Sequence, residues 1–189
     1  MERLKQAIAA FFDFLQGIVA IAAVMVMIYL FIMSPQEISG SSMTPTFVNG
    51  EFILTNKVMY RFTLPKRGDV VIFKSPKNKD VDYIKRVIGL PGETIRLEGG
   101  QFFINDVPLI ETYDYNKPVF GESYMHEGDQ IIIPEGQYFL VGDNRPGSSD
   151  SREFGPIVLE DFIGKAFFRY WPTTKVGLVK QGTYKLFSQ

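Results

Sequence analysis

Hydrophobic residues follow two different patterns along this chain, one continuous and one broken into short runs. The continuous stretch covers residues 14–33, which carry no charge and contain Gln16 as the only strongly polar side chain. A helix of this length spans roughly 30 Å, the thickness of the hydrocarbon core of a bilayer. The pattern therefore predicts one transmembrane helix over residues 14–33.

Basic residues flank this predicted helix on one side. Arg3 and Lys5 precede it, and the next basic residue is Lys57. Because positively charged flanks stay inside, we expect residues 1–13 to be cytoplasmic and the chain after residue 33 to be extracytoplasmic. A cleaved secretory signal is the competing interpretation, but its apolar region ordinarily has about 7–15 residues and ends in small residues. The longer span favours a retained anchor in the cell membrane.

After the apolar helix, short runs rich in β-branched and aromatic residues alternate with Gly- and Pro-containing turns. This pattern predicts β-strands over residues 51–55, 70–73, 83–88, 94–97, 101–104, 130–133 and 137–141. Gly99-Gly100 predicts a hairpin turn, and Asn105-Asp106 predicts the next one. Long helical periodicity is absent from this part of the sequence, so we expect a mainly β, antiparallel fold preceded by one helix.

Composition divides the predicted β region into two parts. Residues 98–135 are richer in turn-forming and polar residues than their flanks, which predicts a small β cap inserted into the main sheet. The main antiparallel domain would then comprise residues 34–97 and 136–189. The aromatic run 166–172 is too short and too charged to span a membrane. We expect it in the core, with an interfacial rim at headgroup depth as the alternative.

Charge and composition exclude several classes of chemistry. The formal net charge is −1, from 20 basic and 21 acidic residues, which argues against a nucleic-acid partner. The absence of cysteine excludes thiol catalysis, disulfides and cysteine-based metal sites. His126, the single histidine, lies in a polar stretch and is expected to be an exposed loop residue. A two-histidine zinc site is impossible, and we expect neither a metal nor a cofactor.

Ser42 lies in the turn-like segment 40–46, a few residues beyond the apolar helix. Serine is a poor nucleophile unless a neighbour takes its proton. Gly40 allows unusual backbone angles and a close approach of a substrate chain, and the Ser42 N–H is the natural donor to an oxyanion. An ordinary Ser-rich turn is the alternative. A nucleophile so near the bilayer suggests a substrate that is also in the bilayer.

Lys85 is the best available base, since no suitable histidine exists. It lies in the apolar strand 83–88, where Tyr83 and Val87 share its face. Burial in apolar surroundings lowers the pKa of a lysine amine from about 10.4 toward roughly 7–8, where the neutral form accepts protons. A lysine seen alone in such a strand is more often a surface residue on a sheet edge.

A third segment, residues 142–155, is too polar for a core and is either an exposed loop or a support for the site. Its hydroxyls, carboxylates and arginines suit residues that orient a catalytic pair. In that arrangement Ser148 would hydrogen-bond the amine of Lys85, and Asp143 would pair with Arg86.

Taken together, these segments resemble the type I signal peptidases, the membrane-bound serine proteases that remove signal peptides from exported proteins. The resemblance rests on the N-terminal span followed in order by residues 39–46 (SGSSMTPT), 67–73 (RGDVVIF), 83–92 (YIKRVIGLPG) and 142–155. Each block alone is a weak indication, because Ser-Met-x-Pro also occurs in self-cleaving repressors. All of them in this order are highly specific.

The resemblance implies Ser42 as nucleophile, Lys85 as general base and Ser148 as the residue that holds the lysine. The charged residues that would support the site are Asp143, Arg86, Asp150 and Arg152. Substrates of the family carry small residues, usually alanine, at the first and third positions before the cut. The residues at the positions that line the shallow apolar pockets are Ile38, Met43, Ile53, Ile72, Tyr83 and Ile84, with Phe47 a weaker candidate.

The resemblance also implies an antiparallel β catalytic domain with a smaller β cap, no cofactor, and signal peptides and the lipid bilayer as partners. One branch of the family has a serine in place of Gly40 and uses its hydroxyl in the oxyanion hole, so a backbone donor or water would replace it here. A single span together with Gly40 is more similar to the enzymes of Gram-positive bacteria.

Three alternatives remain at this point. The first is a self-cleaving Ser/Lys protein related to the repressors, against which the membrane anchor and the lack of a DNA-binding segment argue. The second is a mitochondrial inner-membrane processing peptidase. The third is a catalytically silent, membrane-tethered β module that binds peptides or wall polymer.

Overall fold

The computed structural model describes residues 1–111, 120–182 and 184–186, the last three by their backbone. Helix α1 covers Glu2–Phe31, and none of its residues is buried. It is the one helix in the described ranges that is long and apolar enough to cross a membrane. The predicted span ended at Met33, but Met33 pairs with Asn56 as the first residue of a strand. Apolar character alone could not mark this boundary, because Ile32 and Met33 are as apolar as the helix.

Two short helices and thirteen strands follow within the described residues. The helices are α2 (Met59–Phe62) and α3 (Ser151–Phe154). The strands are β1 (Met33–Glu37), β2 (Phe52–Asn56), β3 (Val70–Lys74), β4 (Asp82–Gly89), β5 (Thr94–Glu98), β6 (Gln101–Ile104), β7 (Val107–Glu111), β8 (Gln130–Ile132), β9 (Gln137–Val141), β10 (Ile157–Val158), β11 (Phe162–Trp171), β12 (Gly177–Leu178) and β13 (Tyr184–Leu186). The expected mainly β, antiparallel class is confirmed.

The larger sheet has eight strands in the order β1-β2-β11-β3-β4-β9-β10, with β12 beside β11. Its pairs are antiparallel, and Val71 of β3 lies opposite Lys85 of β4. Arg86, the next residue of β4, lies opposite Val141, the last residue of β9. Since β9 leads directly into the polar segment 142–155, this register brings that segment beside Lys85 and Arg86.

The smaller sheet has five strands in the order β13-β7-β6-β5-β8. The predicted hairpin turns are confirmed: Gly99-Gly100 joins β5 to β6, and Asn105-Asp106 joins β6 to β7. Asn105 and Asp106 have φ values of 50° and 64°, the left-handed pair that a two-residue hairpin turn requires.

The smaller sheet extends beyond the predicted cap, residues 98–135, because it takes in all of β5 and also β13. Composition identifies a turn-rich stretch but not the partner of a strand, so this membership had no signal in the sequence. Residues 112–119 of the predicted cap lie outside the described residues. The division of the chain into a main domain and a cap stays a prediction.

Alternation along β3 shows where the core lies. Val70 and Ile72 pack in one cluster with Met43 and Phe47, below the segment that carries Ser42. Val71 and Phe73 pack on the other face of the sheet, in a cluster with Tyr138 and Leu140. A third cluster, including Ile88, Ile95, Phe102 and Phe139, fills the space between the two sheets. The sheet around the site is therefore buried on both faces.

The aromatic run 166–172 lies partly in the core and partly at the exposed surface. Ala166 is fully buried in the larger sheet, whereas Trp171 is 50% exposed. The expectation of a core position therefore holds at Ala166 and fails at Trp171, since β11 leaves the covered part of the sheet before it ends.

Candidate active site

The segment with Ser42 connects β1 to β2 and is held by its own apolar side chains. Met43 and Phe47 are fully buried, and the Phe47 N–H donates to the Met43 carbonyl at 2.9 Å. The Gly40 N–H donates to Asn49 Oδ1 at 2.9 Å. Buried anchors on a tight turn hold the intervening hydroxyl in one place, which is what a nucleophile requires.

Lys85 meets this hydroxyl from β4. Its amine donates to Ser42 Oγ at 2.8 Å and to the Ile84 carbonyl at 3.0 Å. The side chain of Tyr83 covers the amine, with Nζ 5.1 Å from the ring centroid. Lys85 is 4% exposed, so it is not the surface lysine that the strand alone would favour. The structure thus brings the predicted nucleophile and the predicted base into direct contact.

Burial lowers the pKa of Lys85 from 10.5 to about 8, against the carboxylates of Asp150 and Asp143, which raise it. Arg152 lowers it further. Desolvation wins because an ammonium in this position loses most of its hydration without an adjacent carboxylate. A neutral amine is therefore accessible near neutral pH, and a neutral amine is what can accept a proton from serine.

The polar segment after β9 is fastened to the nucleophile turn. The Asn144 N–H donates to the Ser42 carbonyl at 2.9 Å, and Asn144 Nδ2 donates to the Ser41 carbonyl at 3.1 Å. Asn144 was missed as a site residue from the sequence, where it was one polar residue among many in this segment.

Ser148 lies in the same segment, but not in the hydrogen bond expected for it. Its side chain is buried, and its hydroxyl has no hydrogen-bond partner among the described residues. Gly142 packs against it closely enough that a Cβ at residue 142 would overlap the Ser148 hydroxyl. The role of Ser148 in holding Lys85 stays a prediction.

Asp143 and Arg86 form the pair expected between them. Arg86 Nε donates to Asp143 Oδ1 at 2.8 Å and Nη2 donates to Oδ2 at 2.7 Å, with both side chains fully buried. Thr46 Oγ1 also donates to Asp143 Oδ2, at 2.5 Å. Asp143 therefore connects β4 to the far end of the nucleophile turn.

Asp150 and Arg152 form a second buried pair. Arg152 Nε and Nη2 each donate to a carboxylate oxygen of Asp150 at 2.8 Å. Asp150 Oδ2 also accepts the Gly142 N–H at 3.1 Å. This pair holds both ends of the segment from Gly142 to Ser148 and contributes to the field at Lys85.

An open cleft of about 310 Å³ lies over the Ser42 and Lys85 side chains. Five of the predicted pocket residues line it: Ile38, Ile53, Ile72, Tyr83 and Ile84. Met43 and Phe47 do not, because they point down into the core below the turn. Polar residues at the rim, including Glu37 and Asp82, were not singled out from the sequence.

The backbone at Gly40 adopts a conformation that favours glycine. Its φ of +97° lies in the left-handed region, which L side chains rarely adopt. Within the described residues no group accepts a hydrogen bond from the Ser42 N–H, and Ser42 is one of the residues that line the cleft. That N–H remains the candidate donor to an oxyanion.

Within the described ranges, no group of three or more histidine or carboxylate side chains is placed to hold a metal ion. A half-buried hydroxyl in contact with a buried amine of lowered pKa, at the base of an open cleft, is the arrangement of a serine hydrolase that uses lysine as its base.

Comparison with known proteins agrees with that class. A family model described as signal peptidase, peptidase S26, matches residues 11–171. Signal peptidase IB of Staphylococcus aureus (strain COL) is 35% identical over 175 residues, covering 85% of this chain and 91% of the relative. Probable signal peptidase I-2 of Synechocystis sp. is 35% identical over 154 residues, covering 79% of this chain and 68% of the relative.

A signal peptidase I from Enterococcus faecalis V583, known from a crystal structure, is 33% identical to this chain, with a TM-score of 0.46. The match covers 55% of this chain and 97% of the chain in that structure. On the sequence matches, the chain belongs to the signal peptidase family, peptidase S26. It is a serine endopeptidase, and the resemblance inferred from the sequence blocks is confirmed.

Proposed function

We propose that this chain removes signal peptides from exported precursor proteins, with Ser42 as nucleophile and Lys85 as general base. Membership of the signal peptidase family supports the reaction. The observation that supports the two residues is the 2.8 Å contact between Lys85 Nζ and Ser42 Oγ, made by an amine that burial keeps largely out of water.

The reaction is an acyl transfer in two halves. Lys85 takes the Ser42 proton as Oγ attacks the scissile carbonyl, and the ammonium then protonates the leaving amine of the mature protein. Water, deprotonated by the same amine, attacks the ester; the signal peptide is released, and the ammonium of Lys85 returns the proton to Ser42 Oγ. The Ser42 N–H would stabilise the oxyanion in each half. Both halves use one proton carrier, so the amine must release its proton as readily as it takes it, which a pKa of about 8 allows.

The substrate fits the cleft as an extended peptide with small side chains next to the cut. Isoleucines at positions 38, 53, 72 and 84 form an apolar surface beside Ser42. Burying a methyl group against such a surface is favourable, whereas a charged side chain would lose its hydration without gaining a partner. This supports a preference for alanine at the first and third positions before the cut.

The remaining proposals concern placement in the cell. The family relatives and helix α1, the one apolar helix of sufficient length in the described part of the chain, fit a membrane-anchored protein with one span. Arg3 and Lys5 support a cytoplasmic N-terminus and an extracytoplasmic site, since β1 begins directly after the helix. Ser42 then lies close to the bilayer surface, where the end of a signal peptide leaves the membrane.

The experiment that tests the function uses the full chain in detergent with an exported precursor whose signal ends in Ala-x-Ala. Wild type, Ser42→Ala and Ser123→Ala are compared, and mass spectrometry gives the N-terminus of the product. Ser123 is an exposed serine whose hydroxyl donates to the Glu153 carbonyl, so it controls for loss of a hydroxyl elsewhere.

We expect a cut directly after the final alanine with wild type and Ser123→Ala, and none with Ser42→Ala. A folded wild type that leaves the precursor intact would favour a silent peptide-binding module. A cut that survives Ser42→Ala would place the nucleophile elsewhere.

A further inference from the structure

A buried arginine in the active-site loop has its carboxylate partner on the smaller sheet. Arg145 lies in the loop between β9 and α3, two residues after Asp143, and its side chain is 1% exposed. Its Nη2 donates to Glu111 Oε1 at 2.7 Å and Oε2 at 2.6 Å. Glu111 is the last residue of β7, and its side chain is 6% exposed. The other two buried pairs at the site, by contrast, join residues of the larger sheet and its loops.

The smaller sheet also provides an aromatic surface for the same guanidinium. Phe102 of β6 is fully buried, with its ring centroid 5.5 Å from Arg145 Cζ. A cation over an aromatic face is stabilised by the ring, and more strongly so when both are desolvated. One strand thus contributes the counter-charge and its neighbour contributes the packing surface, so the arginine is held by the smaller sheet from two directions.

Arg145 also contacts the backbone segment that holds the nucleophile turn. Its Nε donates to the Gly142 carbonyl at 3.0 Å, and its own carbonyl accepts Arg152 Nη2 at 2.7 Å. Between these two anchors lies Asn144, whose N–H donates to the Ser42 carbonyl at 2.9 Å. A shift of the Arg145 side chain therefore moves the backbone that holds the nucleophile turn.

Arginine remains ionised at any pH a protein tolerates, so its charge cannot be lost by deprotonation when a partner is removed. Without the Glu111 carboxylate, the guanidinium would have to turn toward water or admit water into the loop. Either change loosens the segment from Gly142 to Ser148 beside Lys85. The amine of Lys85 would then be better hydrated, and hydration raises the pKa that burial lowers.

We propose that Glu111 is a positioning residue for catalysis: through Arg145, the smaller sheet sets the place of the loop that holds Ser42 and surrounds Lys85. This proposal rests on the proposed function of that site. It gives the smaller sheet a part in the reaction although none of its residues reaches the reacting atoms.

The test is Glu111→Gln in the full chain, in detergent, with the precursor used above. The substitution keeps the shape of the side chain and removes its charge. The matched control is Glu98→Gln, on β5 of the same sheet, where the carboxylate is 60% exposed and pairs with Arg96. For each variant kcat, KM, the pH dependence of kcat/KM and the midpoint of thermal unfolding are measured.

We expect Glu111→Gln to lower kcat at least tenfold with KM changed less than twofold. The acidic limb of the kcat/KM profile, which is the rise at low pH that follows the ionisation of Lys85, should move to higher pH. Glu111→Asp, which keeps the charge, should recover part of the lost kcat and return the limb toward wild type. Glu98→Gln should match wild type in all four measurements.

A lower unfolding midpoint with unchanged kcat and an unchanged acidic limb would overturn the proposal, because Glu111 would then only stabilise the fold. If Glu111→Gln does not fold, Phe102→Leu takes its place, and an unchanged kcat and pH profile in that variant would equally overturn the proposal. Ser42→Ala in the same assay separates the two proposals, since residual cutting there refutes the site itself and not the part played by Glu111.

Discussion

Lys85 shows how one side chain acquires its function from its surroundings. A lysine amine in water is almost fully protonated at neutral pH, and its reach and flexibility usually keep it at the surface. Here the strand places it under Tyr83 and beside Ser42, and burial lowers its pKa to about 8. About a tenth of the amines are then neutral at pH 7, which is enough for a base that is in contact with its nucleophile.

The pH dependence of kcat/KM should follow the ionisation of Lys85. Because the neutral amine is the active form, activity should rise with pH around a midpoint near 8, the pKa that burial produces, and level off at higher pH. Peptide cleavage measured from pH 6 to 10 checks this. Lys85→Arg should be inactive throughout, since a guanidinium does not accept a proton in this range. A flat profile, or a rise centred near pH 6, would refute Lys85 as the base.

Gly142→Ala should lower kcat at least tenfold while the protein remains folded. A Cβ at residue 142 would lie 2.5 Å from the Ser42 carbonyl oxygen and would overlap the Ser148 hydroxyl, so both must move. Gly17→Ala is the matched control, because a Cβ in that turn of α1 meets nothing within 4 Å. Steady-state kinetics and the unfolding midpoint of both variants test this prediction. An unchanged kcat for Gly142→Ala would show that the loop accommodates the added methyl group without disturbing Ser42.

Residues differed in how far the sequence could predict them. Ser42 and Lys85 were predicted because each stands in a short block with a chemical logic, and Asp143 with Arg86 because opposite charges occurred in two such blocks. Met43 was predicted to line the pocket, but its side chain is buried in the core below the turn and does not line the cleft, so its part in substrate binding stays a prediction. Glu111 carried no signal at all, because its partner Arg145 is distant in sequence and lies in the loop that follows β9 of the other sheet.

At the scale of the element, strand β4 joins catalysis to stability. Lys85 and Arg86 are successive residues, so their side chains leave the strand on opposite sides. One amine reaches Ser42, while the adjacent guanidinium reaches Asp143 and the Gly68 carbonyl. The base is therefore held by a strand whose next residue is locked in a buried ion pair.

Asp143→Ala should destabilise the protein strongly. Removing one partner of a buried ion pair costs about 3–5 kcal/mol, because the other charge is left unpaired, and this corresponds to a fall of roughly 6–20 °C in the unfolding midpoint. The control is Asp161→Ala, whose partner Lys79 is 59% exposed; such a pair contributes about 0–1 kcal/mol. Thermal unfolding of both variants in detergent checks the difference, and equal midpoints would show that the buried pair adds nothing.

Local signals predicted elements well where the chain reverses direction tightly. Gly99-Gly100 and Asn105-Asp106 specify two-residue turns, because these residues adopt the left-handed backbone that such turns need. The end of α1 and the pairing of β13 with β7 were not predictable in the same way. The first is decided by where β1 finds its partner, and the second by a contact between strands that are distant in sequence.

At the scale of the whole molecule, the exposed apolar helix α1 precedes the β region. The cleft is lined by residues that follow the end of this helix closely in sequence. The positive flank of that helix predicts the direction of insertion. In sealed membrane vesicles with the extracytoplasmic face outward, added protease should remove the β region, and a tag at the N-terminus should stay protected. Inverted vesicles are the control and should give the opposite pattern; digestion of the tag in the first preparation would refute the orientation.

Strand β1, which follows α1, belongs to the larger sheet, and this sheet includes a strand made late in synthesis. Strand β1 pairs with β2, and β2 pairs with β11, which ends at Trp171. A ribosome must therefore make most of the described chain before the sheet around Ser42 can form, and long-range pairings of this kind fold slowly. We therefore expect the nascent chain to lack a complete active site until β11 has been made, long after α1 has been synthesised.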